Sequence, residues 1–126
     1  MISLRVLGIV QAGFATPAEE NLLDSITLDT YMIRNPDQSF MLRVSGDSMK
    51  DAGIHPGDLV IVERTTEARV GSIVIAEVDG AWTMKYLRSK DGRQYLEAAN
   101  SEFEPIIPKE GLRITAIVKG VVRRYD

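Results

Sequence analysis

The segment 44–49, with the sequence VSGDSM, places a serine directly after a turn that ends a β-type run. The glycine in this turn allows a sharp reversal that exposes the Ser48 hydroxyl and directs successive backbone N–H groups into one concavity. Acyl transfer to a serine requires such donors where the tetrahedral oxyanion develops. A structural alternative stays open, because Asp47 or Ser48 could cap a short helix in a serine-rich turn.

A serine nucleophile needs a base, and the composition restricts which base is available. The chain contains no cysteine and a single histidine, His55. This excludes thiol nucleophiles and Cys-ligated metal sites, and a Ser-His-Asp triad would depend on that one imidazole. His55 lies in the sequence HPGD, which is typical of a solvated turn. A lysine can replace histidine where burial lowers its pKa toward neutrality.

Lys85 is the lysine that best fits the role of a buried base. It lies in the β-type run AWTMKYL at 81–87, where alternation places it on the same face as Thr83 and Leu87. Such a face does not suit a fully solvated ammonium group, whereas the other four lysines adjoin charged, turn or chain-end positions. The alternative is an edge-strand lysine that protects the sheet from aggregation.

The elements that must position these residues are predicted to be mostly β. A length of 126 residues with 44% hydrophobic and 26% charged side chains indicates one modest globular core. Short apolar runs are separated by turn sequences, and Asp79-Gly80 and the KDG at 90–92 each predict a hairpin. We therefore expect a small twisted antiparallel β-barrel or sandwich. A net charge of −3 argues against a broad nucleic-acid-binding face.

The two ends of the chain are predicted to lie outside this core. The segment 13–20, GFATPAEE, is typical of a loop or flexible arm, and no apolar run approaches the roughly 18 residues of a membrane span. We expect a cytoplasmic protein, with no membrane association, no metal and no other cofactor.

Near the C-terminus, Arg123 and Arg124 are either a partner contact or a solvated chain end.

Four ordered blocks of the sequence resemble the self-cleaving LexA/UmuD peptidase family, an S24-type serine peptidase family. The blocks are FMLRVSGDSMKDAGI at 40–54, PGDLV at 56–60, GSIVIA at 71–76 and TMK at 83–85. The NSEFEP at 100–105 is also similar to a segment of that family. The resemblance covers residues 10 to about 122 and implies a fold like the LexA C-terminal domain. Ser48 and Lys85 fall on the serine of S-G-x-S-M and the lysine of T-x-K.

The resemblance also implies a role for each site residue. Neutral Lys85 would take the proton from the Ser48 hydroxyl, which then attacks a peptide carbonyl carbon. Backbone N–H groups of Asp47 and Ser48 would hold the oxyanion. Thr83 would orient the lysine through a hydrogen bond.

Members of this family cleave their own chain at an Ala-Gly or Cys-Gly bond upstream of the serine. In this sequence the implied scissile bond joins Ala12 to Gly13, within VQAGF. Small residues suit that role because an extended segment must thread into a narrow groove beside the nucleophile. The implied domain organisation is a cleavable N-terminal arm at 1–32 and a Ser-Lys peptidase domain at 33–126.

Within the family, a UmuD-like protein is the preferred interpretation. Only twelve residues precede Gly13, which leaves no room for a DNA-reading helix-turn-helix, and QAGFATPA resembles the UmuD cleavage segment. This subtype implies a homodimer without sequence-specific DNA binding. It further implies activation by the RecA–single-stranded DNA filament and assembly of the processed form with a UmuC-like Y-family translesion polymerase subunit in the SOS response.

Two alternatives to that function stay open. The chain could be the peptidase and dimerisation domain of a LexA-like transcriptional repressor. It could also be a non-enzymatic β-barrel interaction module, in which Ser48 and Lys85 are structural.

Overall fold

The computed structural model describes residues 2–10, 12–13 and 24–126, and the chain divides into two compact units, Met1–Arg34 and Asn35–Asp126. The loop predicted for 13–20 lies outside the described residues after Gly13. Across the described ranges, no helix has the length and apolar character needed to cross a membrane.

The described residues of the N-terminal unit form a two-stranded antiparallel sheet and one short helix. Strand β1 (Ser3–Val6) pairs with β2 (Asp24–Thr27), and helix α1 (Leu28–Met32) follows directly. Thr27 caps this helix, because its Oγ1 accepts the Thr30 N–H at 3.3 Å.

The larger unit is built on one six-stranded antiparallel sheet. Its strands are β3 (Ser39–Arg43), β4 (Leu59–Arg64), β5 (Ile73–Val78), β6 (Ala81–Lys90), β7 (Arg93–Glu97) and β8 (Leu112–Val122), in the order β3-β4-β8-β5-β6-β7. Two 3₁₀ turns, Pro36–Gln38 and Lys50–Ala52, lie outside the sheet. The prediction of a mostly β, antiparallel fold is confirmed.

Both predicted hairpins are present. Asp79 and Asp91, the first residues of the two turns, have left-handed backbones with φ of 48° and 53°, and a glycine with positive φ follows each. A two-residue turn with positive φ at both central residues matches the twist of antiparallel strands. The first turn joins β5 to β6 and so fixes the register in which Val74 lies opposite Lys85.

Strand β5 is buried on both faces and lies between two apolar clusters. Val74, Ala76 and Val78 belong to one cluster, and Ile75 belongs to the other. The second cluster also contains Met49, which is only 1% exposed and follows the candidate nucleophile. The serine loop is therefore anchored to the core by one of its own side chains, that of Met49.

An ion pair between a buried carboxylate and a partly exposed guanidinium joins the C-terminal end of the chain to the loop after the serine segment. Arg123 donates from Nε to Asp58 Oδ1 at 2.8 Å and from Nη2 to Asp58 Oδ2 at 2.6 Å, and Nη2 also reaches the Gly53 carbonyl at 2.7 Å. The Arg123 guanidinium, aided by the His55 backbone N–H, holds the pKa of Asp58 well below its usual range. Arg123 is therefore not a free chain end, because Asp58 pairs with it, while a partner contact stays a prediction; Arg123 and Arg124 are both exposed.

Replacing Arg123 with alanine should destabilise the fold, because Asp58 would be left buried without its counter-charge. We expect the Tm at pH 7 to fall by roughly 10 °C, measured by circular dichroism. The matched control is Arg113→Ala, which removes a largely exposed pairing with Glu77 and should shift Tm by less than about 2 °C.

The same pair predicts a pH dependence. Because the folded pKa of Asp58 lies below its unfolded value, its stabilisation is present above the unfolded pKa and is lost as pH falls through the folded pKa. The Tm difference between parent and Arg123→Ala should therefore shrink in strong acid. Equal Tm values for parent and variant at pH 7 would contradict this account.

Candidate active site

Ser48 lies in a loop that the sequence folds tightly between β3 and the Lys50–Ala52 turn. Gly46 has a φ of +83°, a conformation that side-chain-bearing residues rarely adopt, and it turns the chain toward the serine. Ser48 is half-buried, and the next side chain, Met49, is inserted into the core. The hydroxyl is thus held at the surface of a fixed loop.

Lys85 reaches this hydroxyl from strand β6. Its side chain is buried, at 8% exposure, and Nζ lies 3.0 Å from Ser48 Oγ. Nζ also donates to Thr83 Oγ1 at 2.7 Å and to the Met84 carbonyl at 3.1 Å. The structure therefore brings together three residues that the sequence analysis selected: Ser48, Thr83 and Lys85.

The surroundings of Lys85 disfavour its charged form. Burial lowers the pKa of Lys85 below its ordinary value of 10.5. The three hydrogen-bond partners are neutral oxygens, and none of the ion pairs in the described ranges includes Lys85. A neutral amine keeps two N–H donors, enough for Thr83 and Met84, and leaves its lone pair for the Ser48 hydroxyl.

The serine loop also offers free backbone donors. Within the part of the chain that the structure describes, the N–H groups of Asp47 and Ser48 have no protein hydrogen-bond acceptor. The Asp47 carbonyl, in contrast, accepts from the Lys50 N–H at 3.2 Å and from Asn100 Nδ2 at 3.0 Å. The loop therefore combines a nucleophile with two N–H groups that can serve a developing anion.

A turn after β7 supports the serine loop, and sequence reasoning assigned it no role. The Asp51 N–H donates to the Ala99 carbonyl at 2.8 Å, and the Ala99 N–H lies 3.4 Å from Met49 Sδ. Asn100 adds the contact to Asp47 and is itself only 4% exposed. The sequence signal for this turn is the NSEFEP segment, which resembles the family but whose local pattern gives no chemical reason for its asparagine.

Three further residues were selected from the sequence. His55 is exposed in its turn and makes a backbone hydrogen bond to Asp58, as expected for a solvated turn histidine. Ala12 and Gly13 lie in an exposed bend of the N-terminal unit. In the ranges 2–10, 12–13 and 24–126, no group of three or more His, Asp or Glu side chains could hold a metal ion.

A sequence model described as Peptidase S24-like matches residues 5–122, which include the serine loop, the lysine strand and the supporting turn. This chain belongs to the peptidase S24-like family. Ser48, Thr83 and Lys85, which meet in the larger unit of this S24-like protein, therefore lie within the region that matches a peptidase family.

Curated relatives of this S24-like chain carry the name LexA repressor. The LexA repressor of Clostridium novyi is 37% identical over 126 residues, covering 99% of this chain and 62% of the relative. The LexA repressors of Shewanella piezotolerans and Vibrio campbellii are each 38% identical, over 99% and 98% of this chain and 62% and 61% of the relatives. The chain thus spans about three fifths of the length of these relatives.

The similarity does not support the UmuD-like subtype preferred from the sequence. The relatives reported above are named as repressors, which agrees better with the LexA-like alternative. The short stretch before Gly13 cannot decide the subtype, because the matched relatives extend well beyond the region that this chain spans.

Burial of Lys85 should give the fold a measurable pH dependence. Since the folded pKa of Lys85 is lowered, the unfolded chain binds more protons between the folded and unfolded pKa values, and stability rises with pH in that window. We expect this rise to be absent in Lys85→Met. Urea unfolding between pH 7 and 10.5, with both chains in a Ser48→Ala background to prevent cleavage, measures the difference. Parallel pH curves for the two chains would contradict the lowered pKa.

Proposed function

We propose that this chain is a self-cleaving Ser-Lys peptidase domain in which Ser48 is the nucleophile and Lys85 is the general base. The observation that carries the proposal is the 3.0 Å contact between Lys85 Nζ and Ser48 Oγ, made by a buried lysine that has no anionic partner among the described residues. A nucleophile within hydrogen-bond reach of a base whose pKa is lowered by burial is the arrangement that activates serine.

The proposed reaction starts from this pair of residues. Neutral Lys85 accepts the Ser48 proton as Oγ attacks the carbonyl carbon of Ala12, and the N–H groups of Asp47 and Ser48 stabilise the oxyanion. Collapse of the tetrahedral intermediate breaks the bond to Gly13, whose amine leaves with the proton from Lys85. A water molecule, deprotonated by Lys85, then hydrolyses the ester and restores Ser48.

Thr83 keeps the amine in position during these transfers. Its Oγ1 accepts a hydrogen bond from Nζ at 2.7 Å, and the Met84 carbonyl accepts a second at 3.1 Å. These two acceptors take two of the N–H groups of Nζ. The remaining position on Nζ, which carries either the lone pair or a proton, then points toward Ser48 Oγ. Proton transfer therefore needs no rearrangement of the lysine.

Docking of the cleaved segment would control the rate. We take residues 1–32 as the cleavable arm and 33–126 as the peptidase domain. At the ordinary pKa of 10.5, only roughly one lysine in three thousand is neutral at pH 7. A docked segment that excludes water from Lys85 would lower its pKa further, so cleavage would depend on the fraction of docked molecules.

For the whole protein, the LexA-like alternative is the better supported role. The named relatives are LexA repressors at 37–38% identity, and this chain matches about three fifths of each. On this view the chain is the cleavage and dimerisation domain of a repressor in the SOS response, with the RecA–single-stranded DNA filament as activator. A role with a Y-family polymerase has no supporting observation.

Sequencing the reading frame upstream of Met1 tests the repressor role, since a helix-turn-helix must be encoded there.

Incubation of the purified chain at increasing pH tests the catalytic proposal. We expect a fragment that begins at Gly13, identified by intact-mass spectrometry, with a rate that rises as Lys85 loses its proton. Ser48→Ala and Lys85→Ala should each lower the rate at least about 1,000-fold, because each removes one half of the catalytic pair.

The matched control for the serine is Ser45→Ala. Ser45 lies in the same turn but is exposed, so its rate should stay within about twofold of the parent. Cleavage of Ser48→Ala at the parent rate would overturn the proposal, and so would a parent chain that stays intact throughout. An intact parent chain would favour the non-enzymatic module, whereas cleavage of Ser48→Ala would mean that another nucleophile cuts the chain.

A further inference from the structure

Asn100 is a buried polar residue for which the proposed reaction has no role. It lies in the turn after β7 and is 4% exposed. Its Oδ1 accepts the Glu102 N–H at 3.0 Å, and its Nδ2 donates to the Asp47 carbonyl at 3.0 Å. Both partners are backbone groups with fixed donor and acceptor roles, so they define the orientation of the side-chain amide.

The carbonyl that Asn100 binds belongs to the peptide unit that carries the Ser48 N–H. A trans peptide is planar, and its C=O and N–H point in opposite directions. Fixing the Asp47 carbonyl from one side therefore aims the Ser48 N–H toward the other side. That N–H has no acceptor within the described residues, as a donor reserved for a reacting group would require.

The contact between Asn100 and Asp47 is tertiary, and a neighbouring hydrogen bond reinforces it. The two residues are 53 positions apart in the chain. Next to this contact, the Ala99 carbonyl accepts the Asp51 N–H at 2.8 Å, so the turn holds the serine loop on both sides of Ser48. A buried amide is costly unless both of its ends are hydrogen-bonded, and here both are.

We propose that Asn100 is a positioning residue that holds the Asp47–Ser48 peptide so that the Ser48 N–H points at the oxyanion. It acts through the backbone and does not touch the reacting atoms. This inference rests on the proposed function, because it assigns Asn100 to the same Ser48-centred reaction.

Two substitutions separate the donor from the rest of the side chain. Asn100→Asp keeps an acceptor for the Glu102 N–H but replaces the Nδ2 donor with an oxygen that repels the Asp47 carbonyl. Asn100→Leu removes both hydrogen bonds without adding charge. Ser101→Ala is the matched control, since Ser101 is the exposed neighbour in the same turn.

The experiment measures self-cleavage of the full chain from pH 6 to 11 and extracts the limiting rate and the midpoint of each profile. We expect both Asn100 variants to lower the limiting rate by about 10- to 100-fold, part of the effect of losing one oxyanion donor. Lys85 is neutral in the limiting region, so a charge at position 100 cannot act there through the lysine. The midpoint of Asn100→Leu should match the parent, and Ser101→Ala should match in both quantities.

A purely structural role predicts a different result. Asn100→Asp and Asn100→Leu would then melt at lower temperature but cleave at the parent limiting rate while folded, which would overturn the inference and leave the proposed function intact. Cleavage of Ser48→Ala at the parent rate, measured in parallel, would instead overturn the proposed function and this inference with it.

If neither Asn100 variant is folded at 25 °C, the parent chain decides the question by NMR. Phenylboronic acid forms a tetrahedral adduct with an activated serine, and its boronate oxygen occupies the place of the oxyanion. We expect the Ser48 amide and the Asn100 side-chain amide resonances to move together on binding. A shift of the Ser48 resonance alone would contradict the positioning role.

Discussion

The burial of one lysine against one serine is the constraint on which this structure depends. Lys85 is 8% exposed, it faces neutral oxygens, and its Nζ lies 3.0 Å from Ser48 Oγ. An ammonium group in such surroundings is disfavoured, so folding itself lowers the pKa of the lysine. The fold gives up some stability at neutral pH, because the charged lysine is desolvated, and holds a base ready beside a hydroxyl.

Three segments that are distant in the chain must agree in position for this contact to form. The β5–β6 hairpin sets the place of Lys85, and the serine loop is fixed by Met49 in the core. The turn after β7 then holds the loop backbone through Asn100. The Asp58–Arg123 pair ties the following loop to the end of the chain. The site is thus held by tertiary contacts from segments that are separate in the chain.

The local parts of this arrangement were predictable from sequence, and the non-local parts were not. Strands and hairpins follow from alternation and from Asp-Gly turns, which act over a few residues. Ser48 and Lys85 were selected by residue type and by resemblance. The hydrogen-bond partners of Asn100 and Arg123 lie 53 and 65 positions away in the chain, and no local sequence pattern predicts them. The UmuD-like preference relied on where the chain starts and on the QAGFATPA segment, and the reported relatives, which are longer LexA repressors, do not support it.

The claim that Lys85 is the base is tested most directly by comparing two midpoints. One is the pH at which the self-cleavage rate of the full chain is half its limit, and the other is the titration midpoint of Lys85 Nζ followed by ¹⁵N NMR in the same buffer. The account predicts that the two midpoints coincide below 10.5, the ordinary pKa of lysine. A rate that continues to rise with hydroxide after Lys85 has lost its proton would contradict it.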